Sequence, residues 1–150
     1  MRFNTCAFML IGIIGITPVC AKTPTDMTSI EEVKQETQSL IQTLKAYTAD
    51  QRNEASKKAK AALDNLDKRI DTLETSIDDN WDEMNKAARK NARNSLKSLR
   101  SQRIEVAEWY GRLKSSSNDA WGQMKTSFSD AYGAVNNAWG KAKKEFEAEQ

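Results

Sequence analysis

Apolar residues recur every three or four positions along most of the chain, and no proline interrupts them after Pro24. One such stripe begins at Ile30 and ends at Tyr47, and a second begins at Leu63 and ends at Leu113. Steps of three and four place side chains on one face of an α-helix, whereas strands alternate with a period of two. The sequence therefore predicts an all-α protein, an elongated helical hairpin or an antiparallel coiled-coil-like bundle.

Polar clusters divide these stripes into segments. We expect a linker at 22–28, an N-terminal amphipathic helix at 29–48, and a long helical hairpin or bundle over 49–150. Five consecutive weak helix formers at 115–119 predict a break there. Asp78, Asp79 and Asn80 resemble a helix N-cap, so whether residues 78–80 form a turn stays open. Between Thr48 and Ala62 the only apolar residues are alanines, which predicts poor burial and the weakest protection at residues 48–60.

The amino terminus has the layout of a secretory signal peptide. An apolar run of eleven residues, Cys6 to Ile16, follows a basic start and is shorter than the roughly 20 residues that span a bilayer. Val19 and Ala21 occupy the −3 and −1 positions of a small-residue cleavage site. We therefore expect a signal peptide at 1–21, a mature start at Lys22 and a periplasmic or secreted location. A lipoprotein acylated at Cys20 is the alternative, although its flanking residues match such sites poorly.

Several kinds of chemistry have no residues to support them. The chain has no histidine, and its two cysteines both lie within the first twenty residues. These facts exclude histidine-based catalysis and His/Cys metal sites. No phosphate-binding glycine loop or nucleophile elbow occurs. The net charge of +2 also argues against a nucleic-acid binder. The sequence predicts a protein that is not an enzyme and has neither cofactor nor metal.

The carboxyl-terminal third carries a repeated aromatic–glycine pair at Tyr110, Trp121, Tyr132 and Trp139, each followed directly by glycine. The spacings of eleven and eighteen residues are close to whole helical turns, so the rings share one face. This ridge, the candidate interaction surface, comprises Tyr110, Trp121, Phe128, Tyr132, Trp139 and Phe146. Each helical glycine costs about 1 kcal/mol relative to alanine, so we expect a partner helix to lie close to Gly122, Gly133 and Gly140. The ridge is either a core face of a bundle or a surface that docks on lipid or protein.

The segment from Leu113 to Trp121, with Ala131-Tyr132 and Ala138-Trp139 after it, resembles the C-terminal signature of a small bacterial stress-response coiled-coil family. That family is best represented in cyanobacteria, and its members are mostly uncharacterised. The resemblance implies a helical hairpin and a stress-response role. The eleven-residue period is also similar to apolipoprotein-type amphipathic repeats, which implies a lipid-binding alternative. Neither resemblance supplies catalytic residues.

Charges divide into two blocks, with a net charge of −6 over residues 64–83 and +7 over residues 86–114. Five cations of the second block share one helix face: Lys86, Lys90, Arg93, Lys97 and Arg100. This basic face either pairs with the acidic block and solvent or attracts anionic lipid headgroups or envelope polysaccharide. The expected partners are a second copy or another helical protein, with a membrane surface or an anionic envelope component as the alternative, and no nucleic acid.

Overall fold

A computed structural model describes residues 29–148. Four α-helices make up nearly all of this range: α1 (Ile30–Ala46), α2 (Arg52–Asp79), α3 (Lys86–Lys114) and α4 (Trp121–Ala148). A single 3-10 turn, Ala49–Gln51, joins α1 to α2. The predicted all-α class is confirmed, and no strand occurs in the part of the chain that the structure describes. The predicted signal peptide and linker lie outside these residues.

The helices form an antiparallel bundle in which α1 packs on α4, α4 on α3, and α3 on α2. Two contacts fix the direction of α1 on α4, because Ile30 lies beside Gly140 while Tyr47 contacts Trp121. Helix α1 has 17 residues and α4 has 28, so at about 1.5 Å per residue α1 is some 16 Å shorter. The part of α4 after Gly140 therefore extends beyond Ile30, the start of α1.

Side chains at the helix ends explain where the chain turns. Ser29 and Glu32 form a reciprocal capping box at the start of α1, and Asn85 accepts a hydrogen bond from the Ala88 amide at the start of α3. Helix α2 continues through Asp79, and a turn at residues 80–85 separates it from α3. A second break, at residues 115–120, coincides with the serine-rich segment from which the sequence predicted it. Asp78 and Asp79 thus form the end of α2, and the turn between α2 and α3 begins at Asn80.

The alanine-rich start of α2 is part of the core. Ala55 and Ala59 have no exposed surface, so the prediction of poor burial between Thr48 and Ala62 is wrong. Small side chains here leave space for the large rings of α4, and the Tyr132 hydroxyl donates to the Ala62 carbonyl at 3.5 Å. The small alanine side chains suggested weak packing in the sequence. In the structure their small size lets the rings of α4 approach the backbone of α2.

Candidate functional site

The aromatic ridge lies inside the bundle. Trp121, Phe128, Tyr132, Trp139 and Phe146 are all buried within the chain itself. The rings of Phe128 and Tyr132 stack with centroids 6.0 Å apart. Tyr110, the sixth member, is half-buried and packs against the edge of this core. The protein's own helices cover the ridge, so its rings expose little surface to a separate partner.

Both buried tryptophans of the ridge use their indole N–H to join distant helices. Trp121 donates to the Tyr47 carbonyl at 3.0 Å, and Trp139 donates to the Arg69 carbonyl at 3.2 Å. Lys125 also donates to the Tyr47 carbonyl, at 2.7 Å, and its ammonium lies 5.5 Å from the Trp121 ring centroid. Buried indole N–H groups need such acceptors, because an unsatisfied donor in the core is costly.

The glycines beside the ridge differ in their surroundings. A Cβ atom at Gly140 would lie 3.3 Å from Cγ2 of Ile30, and one at Gly133 would lie 4.0 Å from Cδ1 of Ile41. At Gly122 no atom of another described helix lies within 4 Å of that position, so the expectation of a close helix there is wrong within the described chain. Gly122 shares a face with the other two, but it is exposed, whereas Gly133 is half-buried and Gly140 is buried.

A buried polar cluster crosses the same region and was not predicted. The Arg69 side chain is only 6% exposed, forms an ion pair with the half-exposed Glu36, and donates to Oδ1 of Asn136 at 3.2 Å. Its sequence signal is its spacing: Arg69 lies three residues after Leu66 and four before Leu73, on the apolar face of α2. Charged residues at core-facing positions require partners, which here come from α1 and α4.

The acidic and basic blocks meet along the seam between α2 and α3. Arg103 binds both carboxylate oxygens of Asp67, with 2.6 Å between Nη2 and Oδ2, and Arg100 forms an ion pair with Glu74. The hydrogen bond that Arg103 donates to Asp67 raises the pKa of the Arg103 guanidinium; burial opposes this shift, and the negative charges of Asp67, Asp64 and Asp71 add to it. Arg100, predicted as part of the basic face, is therefore engaged within the chain.

The other four residues of the basic face lie on the exposed side of α3. The Arg93 guanidinium lies 4.5 Å from the ring centroid of the half-buried Trp81. Lys86, Lys90 and Lys97 are exposed and have no carboxylate partner among residues 29–148. The structure thus brings these cations together on one helix and leaves three of them available to another molecule.

Comparisons with family models, with curated proteins and with solved structures find no match for this chain. Among residues 29–148, no cluster of three or more Cys, Asp or Glu side chains has the arrangement of a metal site. No helix within the same range is long and apolar enough to cross a membrane.

Proposed function

We propose that this chain is an exported, non-enzymatic helical interaction protein of the cell envelope, and that its basic face binds an acidic partner protein. The observation that carries the proposal is a set of exposed lysines on α3 that have no carboxylate partner within residues 29–148: Lys86, Lys90 and Lys97. The resemblance of the C-terminal segment to a bacterial stress-response family supports a role under envelope stress, and the sequence pattern at residues 1–21 supports export.

The geometry of the basic face suits a partner that presents a row of carboxylates. Eleven residues separate Lys86 from Lys97, which corresponds to about 16 Å along the helix axis. The two arginines of the basic face already have partners within the chain. Arg93 lies over the Trp81 ring. Arg100 pairs with Glu74 of α2, so it lies on the side of the basic face that is nearer to α2. Because the row carries no large apolar side chain, attraction to charge supplies most of the recognition.

Binding to poly-L-glutamate, an acidic polypeptide, tests this proposal. The triple variant Lys86→Gln, Lys90→Gln, Lys97→Gln should bind roughly tenfold more weakly than the unmodified protein, since exposed ion pairs contribute up to about 1 kcal/mol each. Its matched control replaces Lys58, Lys68 and Lys114, three exposed lysines elsewhere, with the same charge change. Equal losses in both variants would show a nonspecific effect of net charge and would contradict the proposal.

Attraction to an anionic membrane surface is the second candidate function. It is favoured by Trp81, a half-buried indole at the end of the basic face, because tryptophan prefers the membrane–water interface. Each lysine near an anionic bilayer contributes about 1 kcal/mol. Sedimentation with vesicles of phosphatidylcholine and phosphatidylglycerol distinguishes the two candidates. Binding to these vesicles without binding to poly-L-glutamate would select the membrane.

Export has its own test. The intact mass of the protein from its native host should correspond to a chain that begins at Lys22 and carries no lipid. A mass that corresponds to a diacylated Cys20 would replace this proposal with the lipoprotein alternative.

A further inference from the structure

Helices α1 and α4 leave a groove on the outer side of their seam. The cavity has a volume of about 440 Å³, within the range of about 300–1,000 Å³ that is typical of pockets for small ligands. Its walls are mainly hydrocarbon and include the side chains of Ile30, Val33 and Ile41 together with the backbone at Gly133 and Gly140. Such walls favour an apolar ligand body.

The two glycines create this space. Both lie on the face of α4 that meets α1, and neither has a side chain to fill the seam. Gly140 is closed over by Ile30, whereas at Gly133 the nearest α1 atom is Cδ1 of Ile41, 4.0 Å from the position of a Cβ atom. The groove is therefore tight at one end and open enough at the other to accept a side chain or a ligand.

Among the described residues, every charged side chain that lines the groove belongs to a lysine: Lys34, Lys141 and Lys144. Lys34 forms an exposed pair with Glu31 at 3.6 Å. Lys141 and Lys144 are exposed and have no carboxylate partner within the described residues. The rim of an apolar groove thus carries two unpaired positive charges, which complement an anionic head group.

The buried polar groups of the groove are already satisfied. The Thr37 hydroxyl donates to the Val33 carbonyl at 2.7 Å, and Asn136 is bound to Arg69 and to the Tyr132 carbonyl. These groups have little capacity left for a ligand. Recognition in this groove consequently depends on an apolar body and on charge at the rim.

We propose that this groove binds a single-chain anionic amphiphile, with its alkyl chain between α1 and α4 and its carboxylate beside Lys141 and Lys144. The groove is too small to enclose a helical peptide, because a helix with side chains is about 10–12 Å wide and about 10 Å of it would fill more than the cavity volume of 440 Å³. An extended alkyl chain fits both the volume and the walls. This site is separate from the basic face on α3, so it stands or falls independently of the proposed function.

Isothermal titration with dodecanoate, below the concentration at which it forms micelles, provides the test. We expect saturable binding of one molecule per chain. Dodecyltrimethylammonium has the same chain and the opposite charge, and it should bind at least tenfold more weakly. Absence of saturable dodecanoate binding, or equal affinity for the two amphiphiles, would overturn the proposal.

Two variants locate the site. Lys141→Gln with Lys144→Gln should weaken dodecanoate binding about fivefold to tenfold, since two exposed charge pairs are lost. The control Lys58→Gln with Lys68→Gln removes the same charge outside the groove and should leave binding unchanged. Gly133→Leu should fill the groove and abolish binding while helicity by circular dichroism is retained.

Retention of full affinity by the two-lysine variant would overturn the proposal. So would a groove already occupied by a second copy of the chain, which would appear as a dimer in solution mass that Gly133→Leu dissociates.

Discussion

The indole N–H of Trp139 donates a hydrogen bond to the backbone carbonyl of Arg69, 3.2 Å away on a helix 70 residues earlier in the chain. Trp139 is 1% exposed, and the ammonium of Lys143 lies 5.7 Å from its ring centroid. One side chain therefore fills the core, ties α4 to α2, and supports the polar cluster around Arg69. Loss of this ring should disturb packing and hydrogen bonding together.

Trp139→Ala should lower the free energy of unfolding by about 3–5 kcal/mol, the range typical of removing a large buried ring. Urea denaturation followed by circular dichroism measures the change. Lys141→Ala, two residues away on an exposed position, is the matched control and should change stability by less than about 0.5 kcal/mol. Equal stability of Trp139→Ala and the unmodified protein would show that the ring is not packed in this core.

Glycine replacements should separate open positions from tight ones. Apart from the adjoining backbone of α3, no atom of the described residues lies within 4 Å of a Cβ at Gly111, so Gly111→Ala should stabilise by about 0.5–1 kcal/mol through helix propensity. Gly140→Ala should stabilise less or destabilise, because its Cβ would lie 3.3 Å from Ile30 Cγ2. Thermal unfolding of both variants gives the comparison.

The double variant Gly140→Ala with Ile30→Ala tests the cause of that difference. If contact with Ile30 offsets the stabilisation expected from Gly140→Ala, this substitution should raise the free energy of unfolding more in the Ile30→Ala background than in the unmodified protein. A coupling free energy indistinguishable from zero would assign the difference to something other than this contact.

Periodicity was sufficient to predict the class of this fold. The recurring spacing around Trp121, Tyr132 and Trp139 placed these rings on one face, and the structure buries all three. The serine-rich segment indicated the break before α4 because its side chains compete with helical hydrogen bonds. These features depend on residues near one another in the chain, where local geometry dominates.

The remaining features depend on which helices meet. The spacing of Arg69 from Leu66 and Leu73 placed it on a core face, but its partner Asn136 is 67 residues away and no local pattern links them. The groove likewise depends on how closely α1 approaches Gly133, which periodicity does not determine. Burial at the alanine-rich start of α2 was missed because it depends on distant residues, such as Tyr132 of α4, which contacts Ala62.

Hydrogen exchange should show two levels of protection near the start of α2. The amides of Ala55 and Ala59 lie on fully buried residues within a helix and should exchange slowly. The amides of Asp50 and Gln51, in the exposed 3-10 turn, should exchange much faster. Uniformly fast exchange from 48 to 60 would instead support the weak burial that the sequence alone predicted.

The pair between Asp67 and Arg103 provides the last prediction. Both side chains are 35% exposed, so solvent screens their attraction and a double-mutant cycle should give a coupling of about 0.5–1 kcal/mol despite the two-point geometry. Arg103→Lys should lose part of this coupling, because an ammonium cannot bind both carboxylate oxygens in the same planar arrangement. Asp67→Asn and Arg103→Gln, singly and together, provide the cycle by urea denaturation.

The pH dependence of that coupling follows from the raised pKa of Arg103. A cation whose pKa is higher in the folded state contributes its full stability below its unfolded pKa and loses it only as pH rises through the folded value. For an arginine both values lie well above this range, so the coupling should not change between about pH 6 and about pH 10. Added salt, in contrast, should reduce it, because the pair is partly exposed. A coupling that disappears within this pH range would show that a group other than Arg103 controls the seam between α2 and α3.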